Sequence, residues 1–374
     1  MYSRGKIKNA RRIVVKVGTS TLTYETGKIN FQIIDKIACQ IANLMNQGRE
    51  VILVTSAAIS VGVSKFGLAQ KPESVPEKQA MAAVGQGILM QYYEKFFSEY
   101  GQIVAQVLLT KEDVIDRKKY LNIRNTLFTL LKYRVVPIIN ENDTVAVDEI
   151  KFGDNDTLSA LVASVVEADL LIILSDIDGL FTADPKTDPQ AKLIEVVDEL
   201  TPEIESLAGG VGSWRGSGGM TTKIQAAKIG VNSNVSVVIA NGADPTVIEK
   251  IIDGQPVGTY FVPKEHKLEQ RKRWIAFGLS PQGILYVDSG AEKALVNNGR
   301  SLLPSGIVDV KGDFEAGQAV QVLNLEGKEI ARGIVNYSSD EIQQVKGLKS
   351  SELQLILGYN GSDVIIHRDN LVLM

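Results

Sequence analysis

The strongest constraint on the fold is a series of short apolar runs before Pro263, which are rich in Val, Ile and Leu and lack polar alternation. The runs are Ile13–Val17, Val51–Thr55, Ile103–Leu109, Val135–Ile139, Leu170–Leu174 and Val235–Ala240. Strands that are covered on both faces have this composition, whereas a strand with one face in water alternates apolar and polar residues. The runs therefore predict an α/β fold, a three-layer αβα sandwich with a mostly parallel sheet.

The segments between these runs have the periodicity of amphipathic helices. One segment places apolar residues three and four positions apart, at Ile33, Ile37, Ile41 and Leu44. This spacing predicts a helix with one buried face, which ends before Gly48. A second, longer helix is predicted from Glu77 to Tyr100.

The pattern of apolar residues changes after a strongly polar stretch, Lys264–Arg273, which we interpret as a linker. Beyond it, short apolar runs alternate with glycine-containing turns, at Gly283–Val287, Gly306–Val310, Ala319–Leu323, Ala331–Val335 and Val364–His367. Short strands at this spacing are typical of a small β-barrel with little helix. We therefore predict a first domain over residues 1–263, a linker over 264–280 and a C-terminal barrel over 281–374.

Composition excludes several kinds of site. The 374 residues include one cysteine, Cys39, and two histidines, His266 and His367, too few for His/Cys-ligated zinc, a haem-type site or a histidine-based nucleophile triad. The net charge of −4 disfavours non-specific binding to nucleic acid or to a membrane surface. No apolar run reaches the length of a membrane span, and we expect a soluble, cytoplasmic protein.

Two lysines lie next to glycine-containing segments that suit phosphate binding. Lys16 ends an apolar strand just before Gly18, where its burial favours a nearby anion. Ser217–Lys223, with the sequence SGGMTTK, forms a glycine-rich turn before a predicted helix over 224–230. Such a turn can wrap a polyphosphate, although the chain contains neither a Walker A nor a G-x-G-x-x-G motif. Leu174–Pro185, after another strand, contributes a further loop.

Serine, acidic and amide residues lie after other predicted strands or at the starts of predicted helices. Ser56 is predicted to cap the helix that follows the second strand. Asp143 lies in the loop INENDTV, and Asn155 and Asp156 lie in GDNDTLSA at the start of another helix. Acids and amides at a helix start suit a substrate ammonium or carboxylate, although the same residues also serve as turn formers and caps. Two lysines, an anion-binding turn and an acid/amide pocket without a histidine base favour phosphoryl transfer to an oxygen that is already anionic.

These motifs together resemble the amino acid kinase family, and within it the members that phosphorylate glutamate. The resemblance covers nearly the whole chain, through VVKVGTS, VTSAAISVG, KQAMAAVGQG, YLNIRNTL, PIINENDTV, GDNDTLSA, DGLFTADP and SGGMTTK. The tail resembles a PUA domain, through GILYVDSGAEKAL, GRSLLPSGI and ARGIVNYSS. The resemblance implies ATP-dependent phosphorylation of the side-chain carboxylate of L-glutamate, which is the first step of proline synthesis.

The resemblance also implies roles for individual residues. Lys16 and Lys223 act as catalytic residues that neutralise the phosphates of ATP, with Mg²⁺ carried on the nucleotide. The nucleotide site consists of Lys16, Ser175, Asp176, Ser217, Gly218, Gly219, Met220, Thr221, Thr222 and Lys223. Ser56, Asp143 and Asn155 hold L-glutamate, and Asp156 assists with its ammonium. The implied partners are proline as an inhibitor, glutamyl-phosphate reductase, and further copies of the chain in a dimer or tetramer.

The sequence departs from the family pattern at two places. Ala57 stands where the family usually has glycine, which adds a methyl group and restricts the backbone beside the glutamate pocket. The segment before the nucleotide loop, residues 212–216, contains the bulky Trp214.

Three alternatives stay open. The chain could act on aspartate, acetylglutamate, carbamate or UMP, although the acid/amide loops favour a free α-ammonium, which acetylglutamate and UMP lack. PUA domains usually bind RNA, but residues 281–374 contain twelve acidic and eight basic residues, whereas RNA-binding domains normally have a basic face. The third interpretation, which we favour for the tail, is a packing or oligomerisation module.

Overall fold

The computed structural model describes residues 4–68, 70, 72–115, 117–146, 155–185, 187–207, 219–263, 281–349, 352–359 and 361–374. The chain divides into two compact units, Met1–Lys267 and Leu268–Met374. The predicted linker, residues 264–280, lies outside the described residues.

The first unit contains an eight-stranded sheet with the strand order β3-β4-β2-β1-β5-β7-β8-β6. Its strands are β1 (Arg12–Val17), β2 (Glu50–Val54), β3 (Val104–Leu109), β4 (Val136–Glu141), β5 (Leu170–Ser175), β6 (Val196–Val197), β7 (Ser236–Asn241) and β8 (Thr259–Phe261). All neighbouring strands are parallel except β7 and β8. Each of the predicted apolar runs forms a strand, and the prediction of a mostly parallel sheet is confirmed. The short strands β6 and β8 were not predicted.

Helices cover both faces of this sheet. They are α1 (Gly5–Lys8), α2 (Thr19–Leu22), α3 (Phe31–Asn46), α4 (Ala58–Phe66), α5 (Val75–Glu99), α6 (Lys111–Ile115), α7 (Arg117–Lys132), α8 (Asn155–Val165), α9 (Pro202–Leu207), α10 (Met220–Asn232) and α11 (Val247–Ile252). The apolar faces of α3, α5 and α11 pack on one side of the sheet. Helices α8 and α10 pack against each other and against β1, β5 and β7. Both helices that periodicity predicted are present, within two residues of the predicted ends.

The alternation of side chains along β1 decides where Lys16 lies. Ile13, Val15 and Val17 belong to the core cluster formed with α3 and α5. Successive side chains of a strand point to opposite faces, so Lys16 lies on the other face, beneath α8 and α10. In register, Lys16 lies between Val54 of β2 and Ile173 of β5, near the carboxyl ends of three parallel strands.

Two glycines allow α4 and α5 to cross at unusually short range. A Cβ atom at Gly62 would overlap the backbone carbonyl of Met81, and one at Gly85 would overlap that of Ala58. Only glycine permits this approach of two backbones. The crossing brings the residue after Gly85, Gln86, close to the carboxyl ends of the central strands.

The second unit is built around a five-stranded sheet with the order β10-β9-β11-β12-β13. Its strands are β9 (Gly283–Val287), β10 (Ile307–Gly312), β11 (Ala319–Leu323), β12 (Glu329–Ile334) and β13 (Leu371–Leu373). Helices α12 (Ser289–Asn298), α13 (Ser339–Val345) and α14 (Leu353–Leu357) give it more helix than the sequence predicted. Val364–His367 was wrongly predicted as a strand, since within it Ile366 forms only an isolated bridge with Leu302, and the last strand lies at β13.

Candidate active site

A cleft of about 830 Å³ lies at the carboxyl ends of the central strands, where parallel α/β sheets bind ligands. Seven of the predicted site residues line it together: Lys16, Ser56, Asp143, Asn155, Ser175, Asp176 and Lys223. They come from six separate stretches of sequence, which the parallel sheet brings to one edge. The cleft also contains residues that were not assigned a role, including Asn140 and Glu141 at the end of β4.

A buried charge cluster lies at the base of this cleft. The Oδ1 atom of Asp156 lies 2.6 Å from Nζ of Lys16, and its Oδ2 atom lies 3.1 Å from Nζ of Lys223. The side chains of all three residues are less than one-tenth exposed. Asp156 was expected to assist with a substrate ammonium, but its contacts are to the two lysines. The reason is the alternation along β1, which turns Lys16 toward the first turn of α8.

The charges of the two lysines keep Asp156 ionised. Burial alone would raise the pKa of this carboxyl group, but the positive charges of Lys16 and Lys223 outweigh burial and hold the pKa below its usual value. Hydrogen bonds from Lys16 and Thr222 act in the same direction. Two ammonium groups and one carboxylate leave a net positive charge at the base of the cleft, which suits an anionic ligand.

Helix α10 begins earlier than predicted. The helix starts at Met220, so Thr221, Thr222 and Lys223 form its first turn and do not belong to a loop. The hydroxyl of Thr222 donates to Asp156 at 2.9 Å and lies 2.8 Å from the carbonyl of Gly219. Gly219 is the N-cap residue and has no side chain that could cap the helix, so the helix N-terminus is suited to bind an anion. The predicted residues Ser217 and Gly218 lie outside the described residues.

Amide side chains form a hydrogen-bonded network on the other side of the cleft. The Nδ2 atom of Asn155 lies 2.7 Å from the carbonyl of Thr55, 3.0 Å from Oγ of Ser56 and 2.9 Å from Oδ1 of Asn140. Asn140 in turn donates from Nδ2 to Oε1 of Gln86 at 2.8 Å. Sequence analysis placed Asn140 among the amides of the acid/amide loops but assigned no individual role to Asn140 or to Gln86. Asn140 could have been found as the polar end of an apolar strand, whereas Gln86 lies within a long helix without any local signal.

Asp143 lies at the edge of this cleft, partly exposed. Burial raises its pKa to about 6, because the neighbouring protein desolvates the carboxylate. No ion pair to Asp143 is present among the described residues. A carboxylate in this condition gains from a cationic partner, because an opposite charge restores the ionised form.

The loop after β2 differs from its prediction. Ser56 does not cap α4; the N-cap position is Ala57, and no side chain caps this helix. Ala57 is buried and adopts a left-handed conformation with φ 80°. This conformation costs an alanine about 1–2 kcal/mol relative to its usual backbone geometry. Because Ala57 occupies the N-cap position of α4, the hydroxyl of Ser56 is available to accept the hydrogen bond from Asn155.

Ser175 and Asp176 lie at the carboxyl end of β5, on the side of the cleft toward β7. The hydroxyl of Ser175 donates to Oδ1 of Asp176 at 2.9 Å. Ser175 is buried, and Asp176 is exposed. In the part of the chain that the structure describes, no group of three or more His, Cys, Asp or Glu side chains is arranged to hold a metal ion.

Comparison with known proteins agrees with this arrangement. The model of the Amino acid kinase family matches residues 11–241, which include seven of the eight strands of the sheet, all but β8, and the whole cleft. The chain belongs to the amino acid kinase family. The model of the PUA domain matches residues 283–357. Both matches confirm the family and the tail domain that the motifs indicated.

Several curated relatives are similar over nearly their full length. "Glutamate 5-kinase" from Thermoanaerobacter sp. (strain X514) is 58% identical over 97% of this chain and 98% of the relative. "Glutamate 5-kinase" from Moorella thermoacetica is 53% identical over 98% of this chain and 97% of the relative. Among solved structures, UMP kinase from Bacillus anthracis matches with a TM-score of 0.46 and 17% identity, covering 68% of this chain and 96% of that chain. In the described residues, no helix is both long enough and apolar enough to cross a membrane.

Proposed function

We propose that this protein transfers the γ-phosphoryl group of ATP to the side-chain carboxylate of L-glutamate and forms L-glutamyl 5-phosphate, the first intermediate of proline synthesis. The observation that supports it best is the buried Lys16–Asp156–Lys223 cluster at the base of a cleft whose opposite wall carries acids and amides. The names of the near-full-length relatives support the same substrate.

The chemistry requires little beyond charge and alignment. The attacking oxygen is an ionised carboxylate, so no general base has to remove a proton, and the scarcity of histidine is no obstacle. Lys16 and Lys223 stabilise the negative charge on the transferring group and on the leaving phosphate oxygen. Asp156 holds both ammonium groups by one carboxylate, which sets their separation before any substrate binds.

The residues around α10 and β5 would hold the nucleotide. The first turn of α10, with Gly219, Met220, Thr221 and Thr222, presents its N-terminus to the phosphates, and the net positive cluster fits their charge. Ser175 and Asp176 complete this side of the site, and we assign Ser217 and Gly218, which lie outside the described residues, to the nucleotide because the resemblance implies it. Mg²⁺ bound to the nucleotide would add positive charge at the phosphates and prefers oxygen ligands such as these.

The amide and acid side of the cleft would hold L-glutamate. Asp143 provides the negative charge for the α-ammonium, and it makes no ion pair among the described residues, while burial raises its pKa to about 6. Asn155 and Ser56 provide polar atoms that orient the substrate. In this proposal Asp156 acts on the lysines, and its contact is not with the ammonium.

The test measures ATP consumption with a panel of acceptors and traps the product with hydroxylamine, which converts an acyl phosphate into a hydroxamate. We expect glutamate to give the highest kcat/KM, above aspartate, acetylglutamate, carbamate and UMP. A hydroxamate that forms only with glutamate supports the assignment, and a better acceptor from the same panel would refute it.

We also propose a cytoplasmic location, inhibition by proline, a dimeric or tetrameric assembly and glutamyl-phosphate reductase as the enzyme that consumes the product. These follow from the resemblance to glutamate-phosphorylating enzymes. RNA binding by the tail is not favoured, because acidic residues outnumber basic ones in residues 281–374.

A further inference from the structure

Gln86 is a buried polar residue that lies behind the cleft and does not line it. It belongs to α5, whose remaining buried residues are apolar or small, such as Ala82, Leu89 and Tyr93. A polar side chain in such a position is costly unless it makes hydrogen bonds. Its Oε1 atom accepts from Nδ2 of Asn140 at 2.8 Å, while its Nε2 atom has no partner among the described residues.

The backbone N–H of Glu141 sets the orientation of the Asn140 amide, and Gln86 accepts from the nitrogen of that amide. With Nδ2 directed at Gln86, the Oδ1 atom of Asn140 accepts from Nδ2 of Asn155 at 2.9 Å and from the backbone N–H of Glu141 at 2.9 Å. A reversed Asn140 amide would place its NH₂ group against two donors, and its oxygen against the Oε1 of Gln86. The orientation is therefore determined by the backbone donor, and Gln86 provides the acceptor for the Nδ2 group of Asn140.

The orientation of the Asn140 amide affects the cleft through Asn155, which lines it. The Nδ2 atom of Asn155 lies within hydrogen-bond distance of the backbone carbonyl of Thr55 and of Oδ1 of Asn140, which leaves the Oδ1 atom of Asn155 as the free acceptor, and that buried atom has no partner among the described residues. The same Nδ2 lies 3.0 Å from Oγ of Ser56. Gln86 is thus linked through Asn140 to two proposed substrate residues, Asn155 and Ser56.

We propose that Gln86 is a positioning residue for the acceptor substrate: by accepting a hydrogen bond from Asn140 it holds the Asn140 side chain where, together with the carbonyl of Thr55, it fixes the amide of Asn155 with its oxygen available to a donor on the substrate. The inference rests on the proposed function, because the donor is the α-ammonium of glutamate. The close crossing of α4 and α5 at Gly62 and Gly85 makes the contact possible, since it brings α5 against the carboxyl ends of the strands.

The experiment compares Gln86→Met, which keeps the size of the side chain and removes the acceptor, with Gln86→Glu, which keeps an acceptor oxygen for Asn140. Gln91→Met on the exposed face of the same helix is the control. We expect Gln86→Met to raise KM for glutamate five- to fiftyfold while kcat and KM for ATP change less than threefold. Gln86→Glu should recover most of the affinity for glutamate, and Gln91→Met should match the wild type.

A second arm repeats the change in an Asn140→Ala background, where the Asn140 donor that Gln86→Met would leave without an acceptor is absent. This double variant avoids the folding defect that Gln86→Met alone could cause. Because Gln86 acts through Asn140, Gln86→Met in the Asn140→Ala background should change KM for glutamate less than twofold. The full effect in that background would overturn the inference.

The outcomes separate this inference from the proposed function. A wild-type protein that does not phosphorylate glutamate overturns the proposed function and this inference with it. An active wild type together with a Gln86→Met variant of unchanged KM for glutamate overturns the inference alone. A variant that loses kcat and affinity for both substrates equally, without recovery in Gln86→Glu, would show a merely structural role and overturn it as well.

Discussion

The carboxylate of Asp156 lies 2.6 Å from the ammonium of Lys16, and the two side chains are 1% and 8% exposed. A buried ion pair is weak support for stability, but removal of one partner leaves an uncompensated charge and is strongly destabilising. Here one carboxylate serves two ammonium groups, since Lys223 contacts its other oxygen. The pair therefore links the stability of the fold to the geometry of phosphoryl transfer.

Asp156→Asn should both destabilise the protein and lower its activity. Two buried lysines would lose their shared counter-ion, and we expect a loss of about 3–5 kcal/mol in the free energy of unfolding. Glu205→Gln, which breaks the exposed pair with Lys228, is the control and should cost less than about 1 kcal/mol. Urea denaturation followed by circular dichroism measures both. Equal losses in the two variants would contradict the buried cluster.

Lys223→Met should lower kcat about 10²- to 10³-fold, which is the scale for removal of one preorganised charge at a transition state. KM for ATP should change less, because the charge on the transferring group develops during the reaction. Lys228→Met, in the same helix but at an exposed position, should leave kcat near the wild-type value. If Lys223→Met raised only KM for ATP, Lys223 would be a binding residue without a catalytic role.

Asp143 should make glutamate binding dependent on pH. Its carboxyl group, with a pKa of about 6, is ionised above that pH and neutral below it, so attraction to an ammonium is present at pH 7 and lost on acidification. We expect KM for glutamate to rise about tenfold between pH 7 and pH 5 as one ionisable group is protonated. KM for ATP serves as the internal control.

The Asp143→Asn variant tests the same group by removing its charge at every pH. It should bind glutamate several-fold to about a hundredfold more weakly at pH 7, through loss of one charge-assisted hydrogen bond, and its KM should no longer vary between pH 7 and pH 5. Because folding raises the pKa, the ionised group destabilises the native state above pH 6, and the variant should melt at a higher temperature at pH 7. An unchanged pH profile in the variant would refute the role of Asp143.

Ala57→Gly should stabilise the protein, which is unusual for a change to glycine in a buried segment. Relief of the left-handed backbone at φ 80° outweighs the greater flexibility of glycine in the unfolded chain, for a net gain of about 0.5–1 kcal/mol. Ala58→Gly, at the first residue of α4, is the matched control and should destabilise by up to about 1 kcal/mol. Thermal melts distinguish the two, and a loss of stability in both variants would show that Ala57 carries no strain.

The candidate site was predictable where chemistry coincides with a strand end or a helix start. Lys16 and Asp143 close or follow apolar runs and Asn155 begins a helix, and the rule that parallel sheets bind ligands at their carboxyl edge brings them together. Gln86 was not predictable, because a glutamine within a long helix has no local signal. It reaches the site only because glycines at positions 62 and 85 let two helix backbones meet.

The sequence by itself determined the class of fold, the order of its central strands along the chain and the residue types available for catalysis. These depend on local patterns: continuous apolar runs, helical periodicity and the scarcity of histidine. Only the tertiary structure decided that Asp156 pairs with two lysines and that Ala57, not Ser56, is the N-cap residue of α4. Such pairings depend on which face of a strand a side chain occupies and on contacts between distant segments, and a local pattern contains neither.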